Sequence, residues 1–220
     1  MINLRAMRYR LALVVNKLFF PFTFPDVFEA FQARNFTLAG STASRVPVAL
    51  GAQLYISGPF ATKEDVVIDL DHDRKILGAE GKDLEALTRI FWEVLDIARA
   101  DFHLTDRDTD YVELSAAFLV KTDKAARQSI EAFFSRNPNL AGVKLALGFD
   151  PVIRQFTLSE KGKPPEGKEY VEFNVAHRLT AQDTYYVQAV FRHPQMSEAM
   201  EFVKNVNAKV ISLIEAMEGS

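Results

Sequence analysis

The chain has 220 residues, enough to bury a real core and between the usual sizes of one large domain and two small ones. Its 26 basic and 29 acidic residues nearly cancel, which leaves no basic footprint for nucleic acid. Its lack of cysteine removes disulfides, thiolate metal sites and cysteine nucleophiles together and fits a reducing compartment or a hot environment equally well, with the cytoplasm as the default.

The chain opens on "MRYRLALVVNKLFFPFTF". Leu11 to Val15 is too short for the apolar stretch of a secretory signal, Asn16 and Lys17 interrupt it, and no small-residue cleavage site follows. No segment approaches the roughly eighteen uninterrupted apolar residues of a membrane span, so a soluble intracellular protein with no membrane partner is expected.

Taken in order, residues 8–16 are rich in Val, Leu, Ala and Tyr and predict a strand. "PDVFEAFQAR" predicts a helix with Pro25 in its first turn, Arg34 in its last and Asn35 as a left-handed terminator. Strand-like runs follow at 52–57 and 65–79, the second a hairpin turning near Asp73. Asp83 can then cap a long helix that carries Leu84, Leu87, Phe91, Val94 and Ala98 on one face.

The second half repeats this order. Residues 111–120 predict a strand, and "DKAARQSIEAFFSR" a helix with Thr122 or Asp123 as cap. Pro138 disfavours helical geometry at Asn137. Strand-like runs come at 143–159 and 169–192, the latter a longer hairpin turning near Ala181 to Asp183. Met196, Ala199, Val203, Val206, Val210, Leu213 and Met217 then mark a closing amphipathic helix. Its stripe suits the cover of a sheet, with a coiled-coil seam as the alternative.

The words repeat as well as the order. "EAFQARNFTLAG" (29–40) returns as "EAFFSRNPNLAG" (131–142), where chance would give about one match in such a window. Tyr9 precedes Tyr111, and "QLYIS" (53–57) precedes "QFTLS" (155–159), by the same interval; "KEDVVIDLDH" (63–72) matches "KEYVEFNVAH" (168–177) after a short slip. Four blocks in one order indicate an internal duplication, with residues 1–108 as the first repeat and 109–220 as the second in one pseudo-twofold unit. The expected fold is α+β: two tandem strand, helix, antiparallel strands, helix repeats forming a curved antiparallel sheet with helices on one face.

This element order, including "IDLDHDRKILGAEGKDLEALTRIF" as strand, turn, strand and capped helix, resembles the TATA-box-binding-protein fold. The resemblance covers almost the whole chain and implies two repeats whose sheets join into a saddle. The DNA-contacting residues of that family are not matched: Asn16 has no counterpart among Leu119, Val120 and Lys121, and the chain is mildly acidic. The resemblance therefore carries fold and not activity.

Candidate chemistry is sparse, with no cofactor, metal ligand set or catalytic group expected. His72 and His177 occupy matching positions, where a pseudo-twofold could bring them together with Asp71 or Asp73; structural histidines are the plainer reading. "DLDHD" (69–73) opens like a calcium loop but has Arg74 at the place of the required glycine, so it reads as a hairpin turn. His103 and His193 flank helix ends without a triad around them, and "KGKPPEGKE" (161–169) reads as a surface loop.

"LFFPFTFP" (18–25) is the most asymmetric feature, since the second half has polar "VKTDKAAR" there. Its Phe19, Phe20, Phe22 and Phe24 either fill extra core or form an interaction surface. The leading expectation is a non-catalytic binding or assembly module that engages a protein or a second copy of itself. A small apolar ligand carrier of helix-grip type, with Phe173, Tyr185, Phe191 and Met200 as pocket walls, is the alternative, and nucleic-acid binding comes third. An enzyme comes last, because no nucleophile, base and orienting group can be named together.

Overall fold

The computed structural model describes residues 1–18, 20–23, 26–39, 43–48, 51–135, 139–149 and 151–219, with backbone alone at 23, 43–48, 51–57 and 139–142. β1 (Asn3–Val15) and β7 (Thr109–Lys121) run antiparallel along each other at the middle of one sheet. In β7 the buried residues Val112, Leu114, Ala116, Phe118 and Val120 alternate with more exposed ones, the period of two that a strand with one covered face demands. Register sets Leu11 against Leu114 and Leu13 against Val112, so the buried face is continuous across this seam. A register shift between Ala6 and Arg8 leaves Met7 exposed and lets inward alternation resume at Tyr9.

Outward from β1 lie β6 (Ile76–Gly81), β5 (Val66–Asp71), β4 (Gly51–Lys63) and the short β2 (Thr37–Leu38); β3 (Ala43–Val48) pairs with β4 off this line. Outward from β7 lie β10 (Thr184–His193), β9 (Tyr170–His177) and β8 (Gln155–Ser159). The open sheet thus runs β2-β4-β5-β6-β1-β7-β10-β9-β8, with every neighbouring pair antiparallel.

Among the described residues, five α-helices complete the α+β fold: α1 (Val27–Gln32), α2 (Leu84–Phe102), α3 (Ala126–Ser135), α4 (Asn139–Leu147) and α5 (Met196–Glu218). Asp83 starts α2 by accepting the Ala86 N–H at 2.8 Å. His103 ends it in a left-handed conformation (φ 52°), and Leu104 N–H returns to the Ala98 carbonyl at 3.0 Å. Leu87, Ile90, Phe91, Val94 and Ala98 bury its inner face against β1, β5 and β6. The inner face of α5 consists of Ala199, Met200, Val203, Val206, Val210, Ile214 and Met217; Ile214 is buried in place of the expected Leu213, and the stripe covers β7 and β10. The seam-spanning contact from Tyr9 to Asn207 shows that α2 and α5 share one face of the sheet.

Several expectations meet the structure in detail. Asn35 has φ 61°, as a left-handed terminator requires, and the first hairpin turns at 72–75. Residues 143–159 are not one strand-like run, because α4 occupies 139–147 before β8 begins at Gln155. Leu, Ala and Lys dominate there over β-branched residues, which favours helix. "LAG" is therefore helical in the second half, whereas Leu38 of the first ends a strand. Thr122 does not cap α3; it is buried, and its hydroxyl donates to Glu218 at 2.6 Å. Tyr9 and Tyr111 do not correspond spatially either: Tyr9 faces the helices, while Tyr111 lies on the opposite face against Arg192.

Candidate functional site

The phenylalanine segment is the foremost surface that the sequence suggests. Phe20 and Phe22 are 3% and 0% exposed and belong to the core, where Phe22 packs against Phe102 at 5.2 Å between ring centroids. Neither side chain is available to a partner in this fold, and the reason is local: the 3-10 turn Pro21–Thr23 after β1 folds both rings inward. Phe19 and Phe24 lie outside the described residues. Among the described side chains of the segment, Leu18 faces solvent at 83% exposure.

His72 and His177 do not meet. His72 sits in the β5–β6 turn with its ring 6.1 Å from that of Phe20, and His177 ends β9 with Nδ1 3.2 Å from the Arg154 carbonyl, to which it donates. Strands β6, β1, β7 and β10 intervene, and the register sets His177 level with Leu4 of β1 but Asp71, next to His72, level with Val14, so at about 4.8 Å per strand and about 3.3 Å per residue the two imidazoles are well over ~20 Å apart. Asp71 accepts the Arg74 N–H at 2.9 Å, as a hairpin turn requires, and Asp69 is held by Arg10. Among the described residues no group of three or more His, Asp or Glu is placed to hold a metal ion.

The sheet face away from α2 and α5 carries an ordered polar network. One row across six strands reads Tyr170, Arg192, Glu113, Ala12, Gly78 and Asp69. Arg192 pairs with Glu113 at 2.5 Å, lies over the rings of Tyr111 and Tyr170 at 5.6 Å each, and donates to the Pro165 carbonyl at 2.6 Å. Arg10 reaches over β6 to Asp69 at 2.7 Å. A Cβ at Gly78 would lie 2.4 Å from Asp69 Oδ1 and 2.7 Å from Arg10 Nη2, so glycine keeps the path open. Burial works against the Arg10 charge, but Asp69 outweighs it and holds the guanidinium pKa above its ordinary value. The loop 161–169 is drawn onto this network through Pro165 and an ion pair between Lys168 and Asp110.

No protein-family model matches the chain, and no curated protein matches it significantly.

The outer edge of the second half differs in kind from this self-satisfied network. α4 is mostly apolar, with Lys144 its single charge, yet its described side chains are exposed: Leu145 is 86% accessible, with Val143, Leu147 and then Phe149 and Val152 also exposed. A helix so largely apolar is ordinarily buried on at least one face. This run leads directly into β8, where Phe156 packs on Phe133 and Phe134 of α3 and Leu158 is exposed. β8 ends the sheet: β9 takes one side, and no strand among the described residues takes the other.

Arg154, just before β8, shares an open depression of about 470 Å³ with Arg127, His177 and Arg178. Arg127 is matched by Glu131 at 2.7 Å, but neither Arg154 nor Arg178 has a carboxylate partner among the described residues. Sequence reading passed over these edge features. The signal lay in "LAGVKLALGF", a helix-prone run with Lys144 as its sole charge. The polar network was announced by Arg10, Asp69 and Glu113 at alternate strand positions and by a glycine inside β6.

Proposed function

We propose that the chain is a non-catalytic binding module of duplicated build, and that its contact surface is the apolar edge formed by α4, the segment after it and β8. The carrying observation is the exposure of Val143, Leu145, Leu147, Phe149, Val152 and Leu158 over one stretch of chain. A stretch so rich in exposed apolar side chains that leads into a sheet-edge strand favours a protein contact, since its exposure costs free energy that an interface recovers.

Support for the duplication comes from strand order. Reading outward from the β1–β7 seam, the first half gives β6, β5, β4 and the second β10, β9, β8, and α2 and α5 close the two halves. "QLYIS" lies in β4 and "QFTLS" in β8, at equal places from the seam. Repeats spanning 1–108 and 109–220 fit this arrangement.

A photo-cross-linking residue at position 145 of the intact chain tests the contact surface. The expected result is a protein adduct that disappears when Phe149→Glu is added while the circular dichroism spectrum shows the fold retained. Absence of any protein adduct at position 145, with adducts instead from the Arg10 face, would overturn the reading.

A further inference from the structure

We infer that the occupant of this edge is a second copy of the chain, joined by antiparallel β8–β8 pairing around a twofold axis at Thr157. The inference rests on the contact surface proposed above and adds its partner and register.

The strand is built without the usual defences of an edge. Gln155–Ser159 contains no charge, no proline and no bulge, the features that ordinarily prevent strand addition. A twofold contact must be self-complementary, each residue meeting its counterpart reflected through the axis. Only some registers of β8 allow that.

With Thr157 on the axis, Thr157 faces Thr157 of the second copy, Gln155 faces Ser159, and Phe156 faces Leu158. At both ends Arg154 faces Glu160 of the second copy. Threonine with threonine, polar with polar, aromatic with aliphatic and opposite charges are the favourable cross-strand combinations. Centring instead on Phe156 would set Arg154 against Leu158, and centring on Leu158 would set Phe156 against Glu160. The Thr157 register alone among these three matches every pair, and it brings Arg154, which has no carboxylate partner among the described residues of its own chain, to Glu160, which in its own chain pairs with Lys163 at 3.1 Å and would share its carboxylate between the two cations.

The sheet alternation keeps these pairs on consistent sides. Phe156 stacks on α3 and so faces the helices, and Arg154 shares that parity beside His177. Pairing continues the sheet from one copy into the next and ends the exposure of its last strand. The exposed apolar residues Leu147, Phe149 and Val152 precede the paired strand in the chain.

The absence of cysteine gives a direct test, because one introduced thiol can oxidise only with another copy. Opposed residues of an antiparallel pair have Cα atoms about 4.5–5.5 Å apart, within disulfide range. Thr157→Cys is expected to yield a reducible dimer as the main product in air. Gln155→Cys alone should yield little, but a mixture with Ser159→Cys should give the heterodimer. Light scattering over a concentration series should show the parent dimerising. Arg154→Glu and Glu160→Arg should each weaken that dimer at least tenfold, and the double swap should restore it. A parent that stays monomeric throughout, or a dimer that the Thr157→Cys variant forms without cross-linking, overturns the inference. If a monomer's position-145 cross-link lands on a different protein, the contact surface stands and the second copy does not.

Discussion

Tyr9 on β1 donates its hydroxyl hydrogen to Asn207 Oδ1 on α5 at 2.7 Å, tying the first strand of the chain to its last helix. Its ring is 2% exposed and meets Phe118 edge-on at 5.6 Å, so the phenol serves packing and polarity together. Tyr9→Phe keeps the ring and removes the bond, and is expected to cost about 1 kcal/mol in urea unfolding. A double-mutant cycle with Asn207→Ala should show coupling between the two positions, and strict additivity would remove the bond from the account.

Gly78 is expected to be intolerant of even a methyl group. Gly78→Ala puts a carbon into the space shared by Asp69 and Arg10, and should destabilise by about 1–3 kcal/mol, the usual range for overpacking. The same change in an Arg10→Ala background should cost less, because one of the two crowded groups has gone. An equal cost in both backgrounds would show that the strain lies elsewhere.

The phenylalanine segment and the α4 edge should respond oppositely to substitution. Phe22→Ala opens a cavity among Phe20, Phe102 and their neighbours and should cost about 3–5 kcal/mol. Leu145→Ser, at a position 86% exposed, should leave the urea midpoint of the isolated chain within experimental scatter. Equal losses from the two variants would contradict these placements.

Tyr185 supplies a pH-dependent prediction. Burial first, and then the neighbouring Glu218 carboxylate, pushes its phenol pKa well up, although a bond with Ser129 opposes the shift. The folded value is above the unfolded one of about 10, so the contribution is full below about pH 10 and is lost as pH rises toward the folded value. Tyr185→Phe also loses the bond to Glu218 at 3.0 Å, and should be less stable than the parent at pH 8. That deficit should narrow above pH 10, since the variant has no phenol to ionise. A deficit independent of pH would rule out the linkage.

Much of the scaffold was legible because it is written in periodicity. The α5 stripe, the Asp83 cap, the turn at 72–75 and the longer second hairpin all follow from spacing and local chemistry. What escaped depends on contacts between distant residues. The sequence left two outcomes open for the phenylalanines, and Phe20 and Phe22 take the core, where Phe22 meets Phe102 of α2; it gave no sign that Leu145 would lie outside. The Tyr9 and Tyr111 correspondence failed for a related reason: sequence similarity does not register the face of a strand, and a shift of one residue exchanges the two sides. Gly78 was visible as a strand glycine, but its meaning needed Arg10 and Asp69, which sit on other strands.

The β1–β7 seam also has a consequence for biosynthesis. β1 emerges well before its long-range neighbour, which begins at Thr109, so at ordinary translation rates of about 5–20 residues per second one flank of β1 waits roughly 5–20 s for cover. A product that stops before Thr109 would retain β6 on one side of β1 and leave the other flank open along thirteen residues. Premature termination in that interval therefore yields a fragment primed for aggregation, and a ribosome stalled there presents the same liability to the chaperones around it.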